Sequence, residues 1–191
     1  MTTRAEQREH TRRTLVATSR DLFATKGYGA VGLSEIVRAA GVTKGALYHH
    51  FESKADLFRA ALEQVQREVG DDVAAAAAAH DDPWDQFTAG CQAFLTASTA
   101  PGVQRIMLID GPAVLGWNEW RAMDEANSAR HLAEAVEELI EKELIPKQPA
   151  APLTRLLSGA MNEAALWLAS TPQALPDTTA ALTRLLDSLR T

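Results

Sequence analysis

The chain has 191 residues, 46% hydrophobic and 23% charged, with one cysteine and a net charge of −6. This is ordinary composition for a soluble globular protein. The lone Cys91 excludes an internal disulfide or a multi-cysteine zinc site. No window approaches the roughly 18 unbroken apolar residues of a membrane span, and the polar start "MTTRAEQREHTRRTL" lacks a signal peptide's apolar core, so a cytoplasmic protein without a membrane partner is expected.

The average charge conceals a split. Residues 1–60 carry ten Lys+Arg against six Asp+Glu, net +4, and residues 61–191 carry nine against nineteen, net −10. A basic start on an acidic remainder suits a protein that meets an anion with one end; chance surface composition is the alternative.

Taken in order, the chain reads as helices throughout, with no sustained period-two alternation. Leu15, Val16, Ser19, Leu22 and Phe23 form one stripe, which predicts a helix over 6–25 that ends before Gly27. Arg4, Arg8, Arg12 and Arg13 near its start form either a solvated helix face or a flexible arm close to phosphates. Short helices follow over 33–39 and 44–50. A long fourth helix runs from 54 towards 79, with Ser53 as N-cap and Asp56 completing a carboxylate version of the capping box. Its alanine run at 74–79 reads as a close-contact or solvent face. Asp82 and Pro83 open a fifth helix over 83–99. A weaker sixth covers 103–109, broken by "DGP" at 110–112, and a seventh fills 117–144. After the proline-punctuated "IPKQPAAP", two last helices cover 152–170 and 176–190.

The fold class expected is therefore all-α, about nine helices. Residues 1–53 form a three-helix unit, and residues 54–191 form a second helical domain joined to it by the fourth helix.

The stretch 33–51 carries the chemistry. Gly41 permits a tight or left-handed turn, Val42 plugs the angle between two short helices, and Thr43 caps the second of them. This is a helix-turn-helix pattern, whose second helix enters the DNA major groove and reads base edges with its first residues. Those residues are Thr43, Lys44, Gly45 and Ala46, followed by Tyr48 and His49. Gly45 and Ala46 are small enough for close approach, and Ala46 can meet a thymine methyl group. The pair His49–His50 does not read as a metal site, because adjacent helical side chains diverge by about 100° and no cysteine or acidic cluster is in register. Tyr48 has packing in the core as its alternative role.

"LSEIVRAAGVTKGALYHHFESKADLF" resembles the DNA-binding signature of the tetracycline-repressor (TetR) family of bacterial transcriptional regulators, with the similarity running from about Leu15 to Phe58. The resemblance implies that Thr43 and Lys44 meet phosphate or bases. It also implies that Tyr48 bonds a backbone phosphate, that His49 reads bases or phosphate, and that Lys54 meets a phosphate. It places His50 and Phe51 in packing. One departure stands out: Gly32 occupies a position where the family often has a threonine, and Ser34 is the candidate replacement for its phosphate contact.

Such a reading head binds as a symmetric pair on double-stranded operator DNA, so a homodimer is expected. Helix 152–170 presents Leu153, Leu156, Leu157, Ala160, Ala164 and Leu168, and helix 176–190 presents Leu182, Leu185, Leu186 and Leu189. The resemblance implies that these two helices pair with their mates. Predicted helices four to seven are expected to enclose a small, mostly apolar effector. Its candidate contacts are Trp84, Phe87, Cys91, Phe94, Met107, Trp117, Trp120, Met123 and Trp167, with Met161 beside them and Asn162, Asp110, Glu163 and His131 as polar partners. No nucleophile elbow, Walker loop or metalloprotease motif occurs, so neither an enzyme nor a cofactor is expected. The function expected is a ligand-released repressor; a regulator without an effector, or an activator, is the alternative.

Overall fold

Side-chain caps fix where the first helices begin. The structure, a computed structural model, describes residues 3–190. The Thr3 hydroxyl accepts from the Glu6 N–H, and the Glu6 carboxylate accepts from the Thr3 N–H. This box starts α1 (Arg4–Lys26), so Arg4, Arg8, Arg12 and Arg13 lie on a regular helix and not on a loose arm. Next come α2 (Leu33–Ala39) and α3 (Lys44–His50). Between them Gly41 takes φ +66°, a region that costs other residues strain. The turn lets the Val42 N–H return to the Val37 carbonyl at 3.0 Å.

Ser53 caps α4 (Lys54–Ala78) by accepting from the Asp56 N–H at 3.0 Å. Asp56 reaches back one residue further than a capping box requires, to the Glu52 N–H at 3.1 Å. Asp82 accepts from the Trp84 and Asp85 N–H groups at the start of α5 (Pro83–Ser98). The inner faces of α1 to α4 meet at Leu15, Phe23, Ile36, Leu47, Phe51, Leu57 and Phe58, all buried. The Phe23, Tyr28 and Phe58 rings pack mutually with centroids 5.1–5.6 Å apart.

The "DGP" sequence does not break the chain. A single wide π turn (Arg105–Asp110) runs straight into α6 (Gly111–Leu115), and the break falls at Gly116, φ +81°. The π turn absorbs Pro112. In its i to i+5 pattern the Gly111 N–H serves the Ile106 carbonyl, and the Met107 carbonyl would need the N–H that proline lacks. The Trp120 indole supplies that donor instead, at 2.6 Å and fully buried.

The helix expected over 117–144 is two, α7 (Trp117–Glu125) and α8 (Ser128–Glu141). Asn127 causes the split. Its side-chain amide donates to the Met123 carbonyl at 2.7 Å, while its backbone N–H turns to the Asp124 carbonyl at 3.0 Å. A side chain has displaced the helical bond. The remaining helices are α9 (Ala150–Leu168) and α10 (Leu175–Asp187), which makes ten α-helices and no strand among the described residues.

Replacing Trp120 by Phe keeps the packing and strands the Met107 carbonyl. A buried acceptor left without a donor costs about 1–3 kcal/mol. At roughly 2–4 °C per kcal/mol for a chain of this size, thermal unfolding followed by circular dichroism should shift down by several degrees.

Candidate nucleic-acid interface and effector cavity

Only Leu47 of α3 is buried, so the helix is held by one anchor and presents the rest of its surface. Thr43 accepts from the Ala46 N–H at 3.1 Å. Thr43, Lys44, Gly45, Tyr48 and His49 are exposed and Ala46 is half-buried. Tyr48 is 49% exposed, which removes core packing as its role, and the Lys44 ammonium lies 5.9 Å from its ring centroid. Ser34 is exposed near the start of α2, where Gly32 gives no side-chain cap. His50 turns towards Phe51. Burial, then the neighbouring His49, Arg8 and Arg12, lower its pKa against a smaller opposing pull from Glu9.

Lys54 is placed differently from its expected phosphate contact. Its ammonium donates to the Tyr28 carbonyl at 2.5 Å and lies 4.0 Å from the Tyr28 ring centroid. Burial lowers its pKa, partly offset by Asp110. It is spent on an internal contact because the first position of α4 lies against Tyr28, at the start of the α1–α2 loop. Asp110, expected in an effector pocket, is also at this corner: its carboxylate accepts from the Tyr28 N–H at 2.8 Å. Arg105 donates to the Thr25 carbonyl at 3.2 Å. Residues 25–28 are thus gripped by Lys54, Arg105 and Asp110.

A cavity of about 420 Å³ lies between the C-terminal part of α4, α5, the α7–α8 corner, α8 and α9. Phe87, Cys91 and Phe94 are on its wall, as are Met161 and His131. The other candidates are elsewhere. Trp84 packs on Phe87 with the Arg190 guanidinium 5.3 Å from its ring. Met107 and Trp120 are committed to the π turn. Trp117 is 62% exposed, and Met123 is partly buried against the core. Asn162 is buried outside the wall. Glu163 is exposed, and Trp167 stands half-exposed on the outer side of α9. The segment 103–109 contributes nothing to the wall, while α9 contributes Ser158 and Met161.

Two features of the wall escaped the sequence reading. The alanine run places Ala74, Ala77 and Ala78 on it. Their i, i+3, i+4 spacing puts three minimal side chains on one face, and small groups there leave room. The second is the polar trio Asp124, Ser128 and Ser158, all buried. Burial raises the Asp124 pKa, and Arg121 and Ser128 oppose that rise.

On the outer faces of α9 and α10, Leu156, Leu166, Trp167 and Leu185 are exposed, with Gly159 and Ala160 between them. Leu157, Leu168, Leu182 and Leu186, expected on the same surface, are buried in the protomer's own core.

Three N-terminal helices presenting the exposed face of α3, backed by a helical body with a cavity, define a helix-turn-helix regulator. Residues 15–61 match the family described as bacterial regulatory proteins, tetR family, and residues 84–189 match the tetracyclin repressor-like C-terminal domain. A crystal structure of a TetR-family transcriptional regulator from Pectobacterium atrosepticum is 34% identical over 100% of this chain and 98% of that one, with a TM-score of 0.80. The Tn10 TetC protein of Escherichia coli is 29% identical over 81% of this chain and 78% of its own length. The regulator AcrR of Shigella flexneri is 36% identical, but over 35% of this chain and only 31% of its own length. The chain belongs to the TetR family and is a DNA-binding transcriptional regulator.

Burial pushes the Cys91 thiol up to about 12, so at pH 8 almost none of it is thiolate, the reactive form. A chromogenic disulfide reagent at pH 8 should leave the native protein unlabelled over many minutes and label one thiol per chain in guanidinium chloride. Rapid native labelling would mean that the cavity wall opens readily.

Proposed function

We propose that the protein is a dimeric repressor that leaves a palindromic operator when a small, mostly apolar molecule fills the cavity of α4, α5, α8 and α9. The reading needs no cofactor and no catalysis. In it, residues 1–53 form the DNA-binding domain and 54–191 the effector and dimer domain; Met1, Thr2 and Thr191 lie outside the described residues. One observation carries it: α4 begins at Lys54, against the corner that supports the reading head, and ends at Val73–Ala78 in the cavity wall. A 25-residue helix is about 37 Å long. A small displacement at one end therefore reappears at the other.

In this reading Thr43, Lys44, Gly45, Ala46, Tyr48, His49 and Ser34 face DNA, and Lys54 acts through Tyr28 more than through phosphate. A second route is short. The α7 residue Trp120 holds the π turn, and the π turn holds residues 25–28 through Arg105 and Asp110. The exposed leucines and Trp167 of α9 and α10 pair with a second copy. Trp167 leaves the expected effector contacts for that surface. The effector must favour the DNA-incompetent form; inverting a 1:99 equilibrium takes about 10⁴-fold discrimination.

Operator DNA selected from a random pool supplies the test. Lys44→Ala should weaken binding to every sequence and lower the salt-dependence slope by about one. Tyr48→Phe should weaken it less. Unchanged affinity in both variants would sink the assignment of α3. Trp167→Glu should shift sedimentation equilibrium to monomer and abolish tight palindrome binding; a persistent dimer would place the interface elsewhere.

A further inference from the structure

The polar end of the cavity is built around one arginine. A single guanidinium nitrogen of Arg121 donates to the Asp124 carboxylate and to the Ser158 hydroxyl, each at 2.9 Å. Ser128 donates to the other Asp124 oxygen at 3.2 Å. Glu125 steadies Arg121 from outside through a 3.3 Å contact. Asp124, Ser128 and Ser158 are 2%, 5% and 4% exposed, and all three belong to the cavity wall. Arg121 does not line the cavity; it sits behind the trio.

The unused valences point one way. Each Asp124 oxygen accepts one bond and has a lone pair left. Ser158 accepts from Arg121, and its own proton goes to no partner among the described residues. The wall thus offers a charged acceptor and, hung from the same nitrogen, a neutral donor. A hydroxyl donates and accepts through one small uncharged atom. An ammonium donates only and leaves the Ser158 proton without an acceptor. An ether accepts only and leaves Asp124 idle. A carboxylate meets Asp124 head-on, with Glu134 and Glu138 also on the wall and no lysine or arginine there. The remaining lining is mostly apolar, from Phe87, Cys91, Phe94, Leu132 and Met161, with Gln86 and His131 as its other polar members.

We infer that the cavity selects an uncharged apolar molecule carrying a hydroxyl group, whose O–H donates to Asp124 and whose oxygen accepts from Ser158. The inference rests on the cavity being the effector site, as proposed above. Alkyl phenols fit this description: a flat apolar body for the Phe87–Phe94 wall, and one hydroxyl for the polar end.

Calorimetric titration of the full chain with four probes of one apolar body tests it: 4-propylphenol, 4-propylanisole, 4-propylbenzylamine and 4-propylbenzoate. The phenol should bind about ten- to a hundred-fold more tightly than the anisole, the worth of a hydrogen bond to a charged group, and more tightly than the amine and the benzoate. Asp124→Asn and Ser158→Ala should each bring phenol and anisole together. Two variants are used because Asp124→Asn also loosens Arg121, whereas Ser158→Ala leaves the Arg121–Asp124 pair in place; circular dichroism checks that both are folded. Equal binding of all four probes, or tightest binding of the amine, anisole or benzoate, overturns the hydroxyl inference and leaves the cavity reading standing. Ala77→Trp, which fills the cavity, separates the two levels. If no probe binds at millimolar concentration, or if binding survives Ala77→Trp, the cavity is not the effector site and both readings fall.

Discussion

The corner at residues 25–28 is the constraint on which the rest of this chain depends. Lys54 at the start of α4, and Arg105 and Asp110 at the two ends of the π turn, spend their polar groups on Thr25 and Tyr28. The Tyr28 ring closes an aromatic cluster with Phe23 and Phe58 beneath them. Partly buried charges need partners, and here backbone groups that would otherwise be orphaned supply them. That solution ties the end of α1 to the start of α4 and to the π turn in one place. The orientation of the reading head is therefore set by the body of the protein and not by the short helices alone.

The π turn follows from the same logic. Pro112 removes a donor from the middle of a buried segment, and Trp120 returns it. The repair fastens α7 to the turn that holds Asp110 and Arg105. The α7–α8 corner then places Asp124 and Ser128 in the cavity wall. Under the proposed mechanism the cavity and the corner at residues 25–28 communicate through two connections, the length of α4 and the α7–π-turn contact. Both are built from hydrogen-bonded or close-packed elements with few alternative arrangements, the kind of element that can carry coupling between distant sites.

The legible part of this sequence was its local part. Thr43, Ser53 and Asp82 are caps whose partners lie two or three residues away, so spacing alone finds them. The exposed face of α3 was legible for the same reason: seven residues with one buried leucine leave little freedom. The cavity was not. Bulky aromatic residues look like pocket linings in a sequence, yet Trp120 and Met107 fill space instead of leaving it. The room comes from Ala74, Ala77 and Ala78, whose significance is the volume they lack. Lys54 and Asp110 failed to stand where expected because their partner Tyr28 is 26 and 82 residues away.

By itself, the sequence determined an all-α chain, the capped starts of α3, α4 and α5, a helix-turn-helix with Thr43, Lys44, Tyr48 and His49 outward, and two apolar helices at its end. These depend on periodicity, capping and turn chemistry, which act within a few residues. Tertiary structure alone decided that the Trp120 indole serves the Met107 carbonyl. It also decided that Lys54 faces inward and that the polar end of the cavity is an aspartate and two serines around Arg121. Each is settled by which distant group arrives to satisfy a buried donor or acceptor, and no local spacing records that.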